Sequence, residues 1–166
     1  MLHGCRLDTL LFDLLTESEG EDRSLVFDID LLGDRVMEAL DWLQVHPELG
    51  HQRVGVFGAS TGAAAALLAA AQRPARVAAV VSRGGRPDLA TPWLKRVQAP
   101  TLLIVGGNDT EVLQLNRSAA RALTCEKRLE VVPGATHLFE EPGALEAVAH
   151  LAGAWFANHL SRGRAQ

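Results

Sequence analysis

A chain of 166 residues with 48% hydrophobic and 22% charged side chains has the length and composition of one globular domain with a substantial core. Its formal net charge of −4 and the lack of a basic stripe exclude nucleic acid as an expected partner, and no apolar run is long enough to span a membrane. Its two cysteines, Cys5 and Cys125, have neither a disulfide pattern nor a metal-ligand spacing, so we expect a cytoplasmic protein without a bound metal.

The first part of the chain begins with a near-continuous apolar run. Residues Leu7–Leu15 therefore predict a buried parallel strand, and the polar, acidic stretch Thr16–Ser24 predicts a surface loop. From Asp28 to Val45, apolar side chains recur every three to four residues, which predicts a helix with Asp28 as its N-cap. The short apolar run Arg53–Phe57 predicts the next strand.

The rest of the chain continues the alternation of strand and helix patterns. Further strands are predicted at Val77–Val81, Thr101–Val105 and Arg128–Val132, and helices at Thr61–Gln72, Thr91–Val97, Thr110–Leu123 and Pro142–Leu160, before a frayed tail at residues 161–166. Such alternation predicts an α/β fold in which a parallel sheet lies between helical layers, a three-layer αβα sandwich formed by residues 1–166 as a single domain. Ligands of such sheets bind beyond the carboxyl ends of the strands.

A sharp turn joins the strand that ends near Phe57 to the following helix. It carries a G-x-S-x-G pattern, from Gly58 to Gly62, which is typical of a nucleophile elbow when a strand precedes it and a helix follows. Small residues leave room for the turn that exposes Ser60, and the N–H of Thr61 at the helix N-terminus is a candidate oxyanion donor. The alternative for a glycine-rich turn of this kind is phosphate binding.

Two polar residues follow later strands at the same predicted edge of the sheet. Asp109 comes after the strand Thr101–Val105, and His137 lies in the loop after the next strand. The order Ser60, Asp109, His137 is that of a hydrolase triad, with the histidine as general base and the aspartate orienting it. Taken alone, Asp109 could cap the next helix and His137 could be an ordinary loop residue; Asp88 is the reserve acid.

Three segments together resemble the α/β-hydrolase superfamily: Phe57–Gly62, Leu103–Asp109 and Val132–Gly143. The nearest branch is the dienelactone-hydrolase-like one, which includes hydrolase domains joined to a phosphoribosyltransferase domain. The resemblance implies a serine hydrolase without a cofactor that acts on a small-molecule ester or related acyl substrate. Dienelactone hydrolases proper have cysteine at the elbow, where this chain has Ser60.

The chain departs from this family before the elbow. Members carry an HG-type loop that supplies a second oxyanion N–H, whereas only His3-Gly4 precedes the first predicted strand here. The comparison implies a hydrolase fold that lacks its N-terminal strands, with a weakened oxyanion site. An open sheet edge then favours a homo-oligomer, and a non-catalytic domain that binds a partner or subunit is the alternative function.

Two arginines lie in the loop between the strand Val77–Val81 and the next helix. Arg83 and Arg86 follow the carboxyl end of a strand, at the edge where Ser60 is expected. Guanidinium groups bind carboxylate and phosphate well, so both are candidate substrate-binding residues. The alternative is that they are solvated loop charges.

Overall fold

The structure, a computed structural model, describes residues 7–161. Its elements in chain order are α1 Glu17–Gly20, α2 Arg23–Val26, α3 Ile29–Val45, β1 Val54–Ala59, α4 Thr61–Gln72, β2 Val77–Arg83, a 3₁₀ segment Pro87–Arg96, β3 Thr101–Gly106, α5 Thr110–Ala122, β4 Lys127–Val132 and α6 Ala144–Leu160. The four predicted strands from residue 53 onward are confirmed, with ends that differ by one or two residues. His3-Gly4 and residues 162–166 lie outside the described part.

The four strands form one parallel sheet in the order β1-β2-β3-β4. Consecutive strands are neighbours, so every connection between them must cross over one face of the sheet, and right-handed crossovers bring the crossing segments to the same face. The carboxyl ends of all four strands consequently lie at one edge, which is where the loops with the candidate site residues begin.

Helices cover both faces of the sheet, and the α/β-hydrolase fold predicted from sequence is confirmed. On one face, the strand residues Val80 and Leu103 pack in a core with α3, α4 and the 3₁₀ segment. On the other, Val81 and Ile104 pack against α6. Alternate residues of a strand point to opposite faces, so the continuous apolar runs of β2 and β3 serve two cores at once.

The alanine-rich helix α4 lies at the centre of the first core. Residues 63–71 are all buried, because α4 contacts β1 and β2 on one side and α3 and the 3₁₀ segment on others. Seven of these nine residues are alanine, whose methyl side chains let the elements approach closely. The elbow at the start of α4 is therefore held on a rigid support.

The prediction of a strand at Leu7–Leu15 is wrong. These residues form no strand, although Leu7 packs against the core beneath α6 and Leu14 against the core around α4. Leu10 and Leu11 are 52% and 95% exposed. A strand needs a backbone partner as well as an apolar pattern, and the described sheet ends at β1 without pairing to this segment.

The predicted loop Thr16–Ser24 is also more ordered than expected. It contains α1 and the start of α2, and Thr16 and Glu19 form a reciprocal capping box at α1. Asp22 caps α2, and Asp28 caps α3 as predicted. No helix in residues 7–161 is long and apolar enough to cross a membrane.

Candidate functional site

Ser60 has a strained backbone conformation. Its φ of 51° and ψ of −121° are sparsely populated for a residue other than glycine, at a cost of about 1–3 kcal/mol. Serine is a preferred helix N-cap, yet the Ser60 side chain makes no capping hydrogen bond to α4. Its hydroxyl is therefore not committed to the helix on which it stands.

Hydrogen bonds from the end of β2 and from the loop after it hold this turn. The Ser60 N–H donates to the carbonyl of Arg83 (3.2 Å), and the Ser60 carbonyl accepts from the N–H of Arg86 (3.0 Å). The N–H of the strained residue is thus bound to the last residue of β2, and its carbonyl to the loop that follows. Strain of this kind persists only where the surroundings impose it.

The two glycines of the G-x-S-x-G pattern differ in the space around them. A Cβ on Gly58 would lie 2.6 Å from the carbonyl carbon of Gly62 and 2.7 Å from the Cα of Ala63, so β1 and α4 cross too closely for any side chain there. A Cβ on Gly62 would meet only Leu14 Cδ1, at 3.8 Å. Only Gly58 is required for the turn itself.

His137 and Asp109 are brought together at this edge of the sheet. His137 Nδ1 lies 2.7 Å from Asp109 Oδ2, and the two side chains are 40% and 14% exposed. Asp109 occupies the N-cap position of α5, but its side chain makes no capping hydrogen bond. The carboxylate is turned toward the imidazole, and within residues 7–161 the more exposed ring forms no hydrogen bond through Nε2.

The loops that carry these two residues are tied together by backbone and side-chain hydrogen bonds. Asn108 donates from its N–H to the carbonyl of Ala135 (2.9 Å) and from Nδ2 to the carbonyl of Gly134 (2.8 Å). A Cβ on Gly106 would lie 2.6 Å from the carbonyl oxygen of Thr136. Sequence reasoning missed Asn108, although an asparagine directly after two glycines signals a turn with a bonding side chain.

No hydrogen bond joins Ser60 to His137, although both border the same backbone segment. A Cβ on Gly84 would lie 3.6 Å from His137 Cε1, while the preceding carbonyl, that of Arg83, accepts the Ser60 N–H. Ser60 and His137 therefore both lie beside Arg83 and Gly84. Such hydrogen bonds are often long or poorly aligned until a substrate is bound.

The two arginines of the loop differ in their partners. Arg86 donates two hydrogen bonds to Asp88, at 2.9 and 2.7 Å, and this pairing raises the pKa of the guanidinium. Asp88, the reserve acid, is therefore bound to Arg86. The guanidinium of Arg83 lies 5.7 Å from the ring centre of Phe139, and its Nε is buried without a hydrogen-bond partner in the described part of the chain.

Thr61 is the first residue of α4. Its N–H is one of the four at the helix N-terminus that have no partner within the helix, and the helix dipole adds positive potential there. The N–H of Thr61 is thus a hydrogen-bond donor available to a negatively charged group beside Ser60.

Comparison with known proteins identifies relatives of the whole described fold. The model of the dienelactone hydrolase family matches residues 22–158. The crystal structure of a dienelactone hydrolase from Anabaena variabilis is 57% identical, with a TM-score of 0.86 over 89% of this chain and 70% of that one. A dienelactone hydrolase-like promiscuous phosphotriesterase from metagenomic libraries, at 21% identity and a TM-score of 0.69 over 95% and 73% of the two chains, shares the fold.

A longer curated relative matches over nearly the whole chain. A Mycobacterium tuberculosis protein that is provisionally named a phosphoribosyl transferase is 57% identical over 160 residues. The match covers 96% of this chain and 36% of the relative. The chain thus spans about a third of the length of that protein.

Proposed function

The chain belongs to the dienelactone hydrolase family, and we propose that it is a serine hydrolase of an ester or related acyl substrate. Ser60 is the nucleophile, His137 the general base and Asp109 the residue that orients the base. The observation that carries this function is the 2.7 Å hydrogen bond between His137 Nδ1 and Asp109 Oδ2. It lies at the sheet edge where the strained Ser60 directly precedes α4.

Acyl transfer follows from the chemistry of these groups. Ser60 Oγ attacks the acyl carbon while His137 Nε2 takes its proton, and Asp109 stabilises the imidazolium that forms. Collapse of the tetrahedral intermediate breaks the bond to the alcohol, which leaves with the proton from His137. Water then attacks the acyl-serine through the same base, which releases the acid and restores the Ser60 hydroxyl.

The negative charge of the tetrahedral intermediate falls on the acyl oxygen. The Thr61 N–H and the N-terminus of α4 are the groups placed to stabilise it. The loss of one such donor typically costs on the order of a hundredfold to a thousandfold in kcat. The sequence predicts a weakened oxyanion site and therefore a low kcat. This stays a prediction, since His3-Gly4 lies outside the described residues.

Arg83 gives the site a preference for an anionic substrate. Its buried Nε has no partner in the described part of the chain, whereas the Arg86 guanidinium is already neutralised by Asp88. We expect Arg83→Gln to raise KM for a monoester of a dicarboxylic acid more than for a neutral ester of the same alcohol. Arg86→Gln is the matched control, and equal effects of Arg83→Gln on both esters would remove the preference.

The test of the reaction is covalent labelling by a fluorophosphonate, with the labelled peptide located by mass spectrometry. Wild-type protein should be labelled at Ser60, and Ser60→Ala should abolish the signal without loss of the folded circular dichroism spectrum. Ser118→Ala, a change at an exposed serine of α5, is the control and should be labelled like wild type. Absence of labelling in wild type would favour the alternative of a non-catalytic binding domain.

A further inference from the structure

Asn116 is a polar side chain with no exposure to solvent in the middle of α5. Its Nδ2 group donates to the carbonyl of Gly85 at 2.9 Å and to the carbonyl of Val112 at 2.8 Å. Two carbonyl acceptors define the orientation of the amide, because the reverse orientation would set Oδ1 against two oxygens. The bond to Val112 stays within the helix, so the contact with Gly85 is what this side chain adds to the fold.

Gly85 belongs to the loop that holds the nucleophile. The next residue, Arg86, donates its N–H to the carbonyl of Ser60, and Ser60 donates to Arg83. A Cβ on Gly85 would overlap Ser82 Oγ and lie 2.7 Å from Ala63 Cβ. Gly85 is therefore packed closely against β2 and α4 and is also bound by Asn116 of α5.

Burial of the Asn116 amide is energetically unfavourable in part. Asn116 Oδ1 has no hydrogen-bond partner among residues 7–161, and a buried polar atom without a partner is unfavourable. A leucine would place the same number of side-chain heavy atoms, with greater bulk, in a helix whose other buried residues are apolar. The donor pair of Asn116 is what such a replacement would remove.

We propose that Asn116 is a positioning residue for Ser60: it holds Gly85, and the residues on either side of the short link, Arg83 at the end of β2 and Arg86, bind both peptide groups of the strained nucleophile. Because α5 begins directly after Asp109, the same helix positions the acid at its start and the nucleophile's loop two turns later. This inference rests on the proposed function. Asn116 touches no substrate, so it acts on the rate of attack by Ser60.

The experiment compares Asn116→Leu with Leu113→Ala, a change at another buried position of α5 that destabilises the helix packing without touching Gly85. The second-order rate of fluorophosphonate labelling at Ser60 is measured where circular dichroism shows each variant folded. We expect Asn116→Leu to slow labelling by about tenfold to a hundredfold, the effect of a small misplacement, and to lower kcat on an ester without raising KM. Leu113→Ala should label within about twofold of wild type, since it removes packing and no contact to the loop.

Amide hydrogen exchange supplies a readout that does not depend on catalysis. The amides of Ser60 and Arg86 should exchange faster in Asn116→Leu but not in Leu113→Ala. Asn116→Ala is measured beside Asn116→Leu, and replaces it if the leucine variant does not fold, because alanine loses the same donor pair and adds neither bulk nor a hydroxyl donor. The inference is overturned if the Asn116 variant keeps the labelling rate, amide exchange rates and kcat of the wild type. If the wild-type protein itself is never labelled at Ser60, the proposed function is overturned instead.

Discussion

The two glycines that flank Ser60 make a matched pair for a stability experiment. Gly58→Ala places a methyl group 2.6–2.7 Å from backbone atoms of Gly62 and Ala63. Ordinary contact begins near 3.4 Å and the carbonyl oxygen of Gly62 lies closer still, so β1 and the start of α4 must separate by roughly 1 Å, and backbone atoms cannot rotate away as a side chain would. Forced overpacking of this kind lowers the free energy of unfolding by about 1–3 kcal/mol.

Gly62→Ala adds the same methyl group where there is room for it. The new Cβ would meet only Leu14 Cδ1 at 3.8 Å, within the first turn of α4. Alanine is favoured over glycine in a helix, and it loses less chain entropy on folding, which together raise stability by about 0.4–1 kcal/mol. The two variants should therefore change stability in opposite directions, although their chemistry is identical.

Urea unfolding followed by far-UV circular dichroism measures both free energies. Fluorophosphonate labelling of Ser60 in the same samples reports the geometry of the turn, and we expect Gly58→Ala to slow it by roughly a hundredfold, as a misplacement approaching 1 Å does. The reasoning is refuted if Gly58→Ala is as stable as wild type, or if Gly62→Ala is destabilised to the same extent as Gly58→Ala.

Asp109→Asn should lower kcat on the order of ten thousandfold with the fold intact, because an amide cannot hold the imidazole in the required tautomer; Asp88→Asn is the control, and a similar loss there would reassign the acid. Burial raises the pKa of the Cys125 thiol, so iodoacetamide at neutral pH should modify Cys125 more slowly than free cysteine, as peptide mass spectrometry would show; equal rates would contradict the shift. The edge strand β1 carries Phe57, which is 43% exposed, and we expect self-association there. Light scattering should show that Phe57→Glu weakens it while Leu145→Glu does not, and a monomeric wild type at all concentrations would exclude it.

Much of the fold can be predicted from the sequence because its signals are local. The strands β1 to β4 each carry their own apolar run, and the helices carry their own periodicity and caps, as Asp28 shows at α3. The turn at Ser60 could be recognised because the short-range geometry of a strand, a tight turn and a helix restricts the residue types that fit. The order of the candidate residues and the parallel sheet then place Asp109 and His137 at one edge.

The fate of Leu7–Leu15 depended on tertiary structure. Its near-continuous apolar run predicted a strand, but a strand forms only where a neighbour accepts its backbone hydrogen bonds. No pattern within nine residues contains that information. The segment packs through Leu7 and Leu14 and leaves Leu11 almost fully exposed.

Competition between partners was also decided only in three dimensions. Asp109 could cap α5 or bind an imidazole, and its carboxylate is found at His137; Arg86 could face a ligand, and its guanidinium is found on Asp88. Asn116 shows the same limit, since its partner Gly85 lies 31 residues away in the chain. Residue types determine which bonds a side chain can make, whereas the choice among them depends on which groups the packed sheet and helices bring within about 3 Å.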